Sequence, residues 1–290
     1  MKMTNKLALG TAQFGYDYGI NNKRGKIPKD EVFKILNTAK EKSILFLDTA
    51  ASYGDSEEVI GDFMKNSGIS LQIISKIPQC SACDVEKEVL SSLHKLNLEK
   101  IYGFLIHNFK AYEDDKEIWN QLERLKDQGI IEKIGFSLYF PEELDSLLNS
   151  DLGVDIIQIP YSIFDQRFKE ILSKAKARNI EVYARSVFLQ GLILKEINGL
   201  GEEFNNIKPK IVKLHELSKS LQVPLSALCL NFAMAEEHID KVVVGVDSLD
   251  NLNLNIQSIK YLDKVKENIK LLNEMKEDDE NIILPFNWGK

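Results

Sequence analysis

Residues Ile44 to Gly54, I-L-F-L-D-T-A-A-S-Y-G, decide how the chain is read. The apolar run Ile44 to Leu47 reads as a short buried strand that hands Asp48, and then Tyr53, into a turn closing on Gly54. Taken alone, an Asp in that position is most often a cap or turn residue. Asp55 followed three residues later by Glu58 is a capping-box signature, which predicts a helix through E-E-V-I-G-D-F-M. Strand, polar turn and helix in that order are the repeating unit of an α/β fold.

Working outward, seven further runs read as strands: Leu7 to Gly10, Gln72 to Ser75, Ile101 to Ile106, Lys133 to Phe136, Asp155 to Ile159, Glu181 to Ala184 and Lys241 to Val244. Helical patterns lie between them. After Asp30, residues Val32, Ile35, Leu36 and Ala39 share one face; Asp84, Asp115 and Pro141 open three more helices. Phe164 to Arg178 and Ile207 to Leu221 follow, and Pro224 opens a helix through Met234. Alternation of this kind implies parallel strands joined by right-handed crossovers, and eight of them can close. The expectation is a single-domain (β/α)8 TIM barrel over residues 1–290. The alternative, an open doubly wound sheet, lacks its G-x-G-x-x-G after the first strand, because Gly10 and Gly15 do not fit that spacing. Asp48, Lys76, His107, Ser137, Gln158 and Arg185 each follow a hydrophobic strand. In a barrel they meet at the carboxyl-end mouth, where active sites of this fold sit.

At 290 residues, 44% apolar and with a formal charge of -7 spread along the chain, the sequence supports neither nucleic-acid nor anionic-membrane binding. No apolar run approaches the roughly 18 to 20 residues of a membrane helix, and the start is too briefly apolar for a signal peptide. A cytoplasmic monomer or weak oligomer is expected. Cys80, Cys83 and Cys229 make no disulfide framework. Cys80 and Cys83 form a C-x-x-C, which reads as ordinary loop cysteines, with a redox pair as the alternative; no metal site is expected. Two long segments, Phe14 to Lys29 and Leu189 to Asn206, are expected over the mouth. The tail from Glu277 is polar, but Phe286 and Trp288 predict that its end docks.

As chemistry, Tyr53, Lys76, Asp48 and His107 form a proton-delivery set. A neighbouring ammonium would lower the Tyr53 phenol from its usual pKa near 10, and Asp48 would keep Lys76 charged. His107 would orient a carbonyl or share in proton delivery. Each residue alone has a plain structural reading; the combination at the ends of strands two to four is specific. Tyr16, Tyr18, Asn108, Phe109 and Phe164 are candidates for the substrate pocket, each equally readable as loop packing.

The sequence resembles the aldo-keto reductases. The matching pieces are L-G-T at Leu9 to Thr11, D-T-A-A-S-Y-G-D-S-E-E-V-I-G at Asp48 to Gly61, S-K at Ser75 and Lys76, and H-N at His107. I-G-F-S at Ile134 to Ser137, Q-I-P-Y at Gln158 to Tyr161 and L-Q-G-L at Leu189 to Leu192 complete the set. The resemblance implies NADPH, with NADH as the other option, and an aldehyde or ketone substrate, a sugar-like carbonyl among the options, reduced with Tyr53 as general acid. It places Thr11 in the cofactor site, Ser137 and Gln158 about the nicotinamide carboxamide and Ser186 near the pyrophosphate. Gly245, Asp247, Asn251 and Asn255 fall at the adenosine half. Departures from the family pattern are Leu138 after Ser137, Arg185 as a cofactor contact where an aromatic residue often stacks on the nicotinamide and a planar guanidinium can do the same, Asn251 where a phosphate-binding Arg is frequent, and Leu254 where a Glu is common. A Schiff-base lyase using Lys76 and a cofactor-sensing regulatory protein are the alternatives.

Overall fold

Eight parallel strands close on themselves in sequence order: β1 (Leu7–Gly10), β2 (Phe46–Asp48), β3 (Gln72–Ile77), β4 (Ile101–Ile106), β5 (Ile131–Ser137), β6 (Ile156–Pro160), β7 (Glu181–Arg185) and β8 (Lys241–Gly245). Gly10 lies opposite Asp48 on one side and Gly245 on the other, so β1 and β8 seal the cylinder. The computed structural model describes residues 3–20, 22 and 24–288.

Strand side chains alternate between two faces, and the two faces are filled separately. Ala8, Ile74, Leu105, Ile156, Tyr183 and Val243 pack together inside the barrel, with Phe46 and Tyr102 against them. Their neighbours Leu7, Leu9, Ile73, Phe104, Ile106, Ile157, Val182, Val242 and Val244 belong to the larger core beneath the helices. A step of two residues keeps the same face. Two positions beyond the interior residues therefore stand Gly10, Asp48, Lys76, His107, Gln158, Arg185 and Gly245, forming a ring at the mouth.

At the opposite end the barrel is closed by polar groups. Lys133 donates to the Tyr102 hydroxyl (3.0 Å) and pairs with Glu181, to which Tyr102 also donates (2.8 Å). The Lys241 ammonium lies 3.9 Å from the centroid of the Phe46 ring and donates to the Asn5 carbonyl. Each buried donor here has an acceptor, which is the condition for burying such groups without a large penalty.

The helix of Lys29–Glu41 buries Val32, Ile35, Leu36 and Ala39, the face marked in the sequence. Three local expectations are corrected. Ile44 does not begin β2: its amide donates to Ala39, so it closes the preceding helix instead. Asp55 precedes the Ser56–Ser67 helix without capping it through its side chain, because its carboxylate is taken by Lys26. The helix expected from Phe164 is confined to Lys169–Ile171 and Leu172–Ala177. Upstream, the Ser162 hydroxyl accepts from Asp165 and the Gln166 amide donates to Ile163, local bonds that compete with helix formation. The tail docks as anticipated. Phe286 packs edge-on against Tyr139, Trp288 against Phe204, and the Trp288 indole donates to Ile282. No helix among the described residues is long and apolar enough to cross a membrane.

Candidate active site

The turn that carries Tyr53 is held by hydroxyls that see no solvent. Thr11 donates through both its amide and its hydroxyl to the Asp48 carbonyl (3.0 Å each). Ser56 donates toward Thr11, and Thr49 and Ser56 share a hydrogen bond at 3.1 Å; all three are fully buried. The backbone of the short Ala12–Gly15 helix crosses this turn closely. A Cβ on Gly15 would lie 1.7 Å from the Tyr53 carbonyl, and Gly54 adopts a φ of +56° directly beneath it. No other residue fits either place without moving the turn. Thr11, read from sequence as a cofactor contact, is thus also a strut for the Tyr53 turn, although it lines the same cleft.

Lys76, 1% exposed, donates to Asp48 (2.7 Å) and to the Thr49 carbonyl (2.8 Å). Burial lowers the Lys76 pKa against the attraction of Asp48. The Gln158 amide also donates to Asp48 (2.6 Å), which brings this residue into the charged pair as well as the cleft. The Lys76 ammonium lies 5.2 Å from the centroid of the Tyr53 ring, and His107 meets the same ring edge-on at 6.0 Å. Contrary to the sequence expectation, the Tyr53 phenol is pushed well above its ordinary value: burial dominates and the Asp48 carboxylate adds to it. Asp48 already answers the ammonium, so Lys76 acts on Tyr53 as half of a nearly neutral pair.

Burial, with the nearby charges of Lys76 and Arg185, depresses the His107 imidazole from 6.5 to about 3. A histidine kept neutral in this way resists protonation that the unfolded chain accepts. Its contribution to stability is complete above about pH 6.5 and is lost as pH falls toward 3. Urea midpoints measured from about pH 7 down to pH 4 should fall with acidity, and the fall should be shallower in His107→Gln. Equal slopes in the two proteins would contradict the neutral imidazole.

Tyr53 and His107 stand at one end of a cleft that runs to Asp247 and Asn251. Ser137, Gln158, Arg185, Ser186 and Gly245 also line it, as does Tyr18 from the first long segment. That segment crosses the rim: Ile20 donates to the Gln190 carbonyl (3.3 Å), and Arg24 donates to the Asp247 carbonyl (3.0 Å) while pairing with Glu31. Gly10 and Gly245 bring bare backbone to one wall of the cleft, beside the side chains of Gln13 and Val243. A Cβ on Gly245 would come within 3.0 Å of the Gln13 amide, and one on Gly10 within 3.3 Å of Val243. Asn255 lies outside the cleft and donates to Asn251 (3.1 Å), holding a residue that lines it.

Four pocket expectations are displaced. Phe109 and Phe164 are buried core residues, Phe109 packing on Phe136. Asn108 is exposed and caps the following helix by accepting from Lys110. Tyr16 reaches the site only through its contacts with Tyr18 and Tyr53. Gln13, Asn22, Tyr139, Phe188 and Gln190 line the cleft without having been singled out. Tyr139 could have been found as the aromatic just beyond β5, on the mouth side of Ser137. Cys83 is exposed, while burial and the carboxylates of Glu88, Asp84 and Asp115 push the Cys80 thiol up to about 11. A reactive cysteine needs the opposite shift.

Comparison with known proteins agrees with the geometry. The profile described as "Aldo/keto reductase family" matches residues 6–277. The chain is 24% identical over 255 residues to the oxidoreductase YqkF of Bacillus subtilis, covering 79% of this chain and 82% of that protein. It is 25% identical over 237 residues to the glyoxal reductase of the same organism, covering 73% and 83%. Among solved structures, the holo form of aldo-keto reductase AKR11C1 from Bacillus halodurans superposes with a TM-score of 0.76 at 20% identity, over 95% of this chain and 94% of that one.

Proposed function

Because the chain belongs to the aldo/keto reductase family, we propose that it is a nicotinamide-dependent oxidoreductase interconverting an aldehyde or ketone and its alcohol. One observation carries this reading: a phenol held protonated at Tyr53, beside a neutral His107 and a paired Asp48 and Lys76, at the head of a long cleft. When bound, the reduced nicotinamide supplies the hydride that the carbonyl carbon receives.

The residues supply the rest. A phenol with a raised pKa is a reluctant acid, and it yields its proton to a base as strong as a developing alkoxide. His107, being neutral, can donate one hydrogen bond to the carbonyl oxygen and so aim it at Tyr53. Asp48, fixed by Lys76 and Gln158, holds the ammonium beside the phenol ring, where it offsets the carboxylate's opposition to the phenolate left after transfer. The backbone left bare at Gly10 and Gly245 leaves room beside Gln13 and Val243 for an extended cofactor, with Ser137, Ser186 and Asn251 in reach of its polar groups.

At the far end the charge balance favours NADH over NADPH, against the family tendency. Among the described residues Arg24 is a cation there, but Glu31 holds it and Asp247 and Asp250 bear on it. A 2′-phosphate would have to displace Glu31 and sit among carboxylates. Titrating each reduced cofactor against protein fluorescence, then mixing the complex with glyoxal and following loss of nicotinamide absorbance, tests the proposal. Binding of NADH tighter than NADPH, followed by oxidation on mixing, is the expected result. Binding without oxidation by any carbonyl would favour the sensor alternative. The Schiff-base lyase is set aside because Lys76 is buried, doubly hydrogen-bonded and paired with Asp48.

A further inference from the structure

A second carboxylate is buried behind the charged pair. Glu57, in the first turn of the Ser56–Ser67 helix, is 2% exposed and does not line the cleft. One of its oxygens accepts from the wholly buried Ser75 hydroxyl (2.6 Å), and the other is buried without a hydrogen-bond donor. Among the described residues no cation stands within ion-pair distance of it; the nearby ammonium of Lys76 is paired with Asp48. A carboxylate so placed is costly unless an opposite charge offsets it.

Alternation along β3 identifies that charge. Ser75 turns outward to the helices and Lys76, the next residue, turns into the mouth, so Glu57 stands across the strand from the ammonium. Lys76 faces Asp48 from β2, Tyr53 from the turn, His107 from β4 and Arg185 from β7. Burial and Arg185 oppose its charge, whereas Asp48 and Glu57 favour it. Asp48 is shared with the Gln158 amide, and two cations, Lys76 and Arg185, would otherwise stand against this one carboxylate. Glu57 makes the count even. The helix that carries it follows directly on the Tyr53 turn, so one element places both the phenol and the balancing charge.

We propose that Glu57 is a positioning residue for proton transfer: its carboxylate, set behind β3 by Ser75, holds Lys76 as an ammonium beside Tyr53. The inference deepens the reductase reading and rests on it. Without the Glu57 charge the ammonium is lost at lower pH, and the phenolate left by proton transfer then faces Asp48 with nothing to offset it.

The test compares wild-type protein with two variants. Glu57→Gln keeps the shape and an acceptor for Ser75 but removes the charge, and since it relieves a buried charge it should fold. Ser75→Ala keeps the charge and removes the hydrogen bond. Lysine enriched in carbon-13 at Cε reports the protonation of Lys76, whose signal is the one missing from Lys76→Met, in titrations from about pH 7 to about pH 11. In Glu57→Gln the Lys76 titration should fall by about one pH unit, the lower end of what a close charge does. The alkaline limb of kcat, measured with NADH and benzaldehyde, should move by the same amount in the same direction. Ser75→Ala should move neither. A Lys76 that keeps its proton to the same pH in Glu57→Gln as in the wild type overturns the proposal, as does one that stays charged to about pH 11 in both. So does a titration that falls while the kcat limb stays in place, or a Ser75→Ala protein that shifts as far as Glu57→Gln, since the bond and not the charge would then matter. If the Lys76 titration falls in Glu57→Gln and the wild type reduces no carbonyl, the link between Glu57 and Lys76 stands and the reductase reading fails.

Discussion

Tyr53→Phe is expected to lower kcat by about a hundredfold to ten-thousandfold, the range that a positioned general acid contributes. The substitution removes one oxygen and keeps the ring. The contacts of that ring with His107, with Tyr16 and with the Lys76 ammonium survive, so the turn and the cleft should be unchanged. Affinity for the dinucleotide should therefore hold while turnover collapses, and transient kinetics should place the loss in the chemical step. A Tyr53→Phe protein with near-normal kcat would show that the proton comes from elsewhere, with His107 the next candidate.

The second large effect is on stability. Lys76→Met leaves the Asp48 carboxylate, whose side chain is 7% exposed, with Gln158 as its remaining side-chain donor. Breaking a buried ion pair from one side typically costs about 3 to 5 kcal/mol, because the surviving charge stays desolvated. Removing both charges in Asp48→Asn combined with Lys76→Met should restore much of that loss in urea denaturation, since the orphaned carboxylate is gone. A double variant whose loss equals the sum of the two single losses would show that the groups do not interact energetically. Turnover should be low in both proteins, so stability and activity separate in the double variant.

The barrel was legible because its strands obey two constraints that sequence records directly. Each is short and largely buried on both faces, and several deliver a polar residue at the carboxyl end: Asp48, Lys76, His107 and Arg185 announce the mouth by their polarity. What misled was apolarity without pairing. Ile44 is wholly buried yet closes a helix, and Phe164 and Phe168 are wholly buried in an irregular stretch whose spacing imitates a helix. The same ambiguity displaced Phe109, since an aromatic just past a strand can turn toward the core as readily as toward the cleft.

The tetrad could be read from strand ends, whereas the rest of the cleft is assembled from segments far apart in sequence. Gln190 meets Ile20, and Arg24 meets Asp247, through contacts that depend on loop conformation. The sequence puts Gln158 at a strand end, but that its amide turns to Asp48 follows from side-chain geometry alone. The direction of the Tyr53 shift was misjudged because the sequence displays the ammonium of Lys76 and hides how completely Asp48 answers it.

The polar closure beneath the barrel has a bearing on how such a molecule can change over generations. Glu181 and Arg185 sit at opposite ends of β7, the first tying β7 to β4 and β5 from below and the second facing the cleft. The groups that keep the cylinder shut are thus physically apart from those that meet a ligand. Substitutions at Tyr139, Arg185, Phe188 and Gln190 can remodel selectivity while the closure beneath stays intact. A library restricted to those four positions explores new chemistry on a scaffold whose folding it scarcely touches.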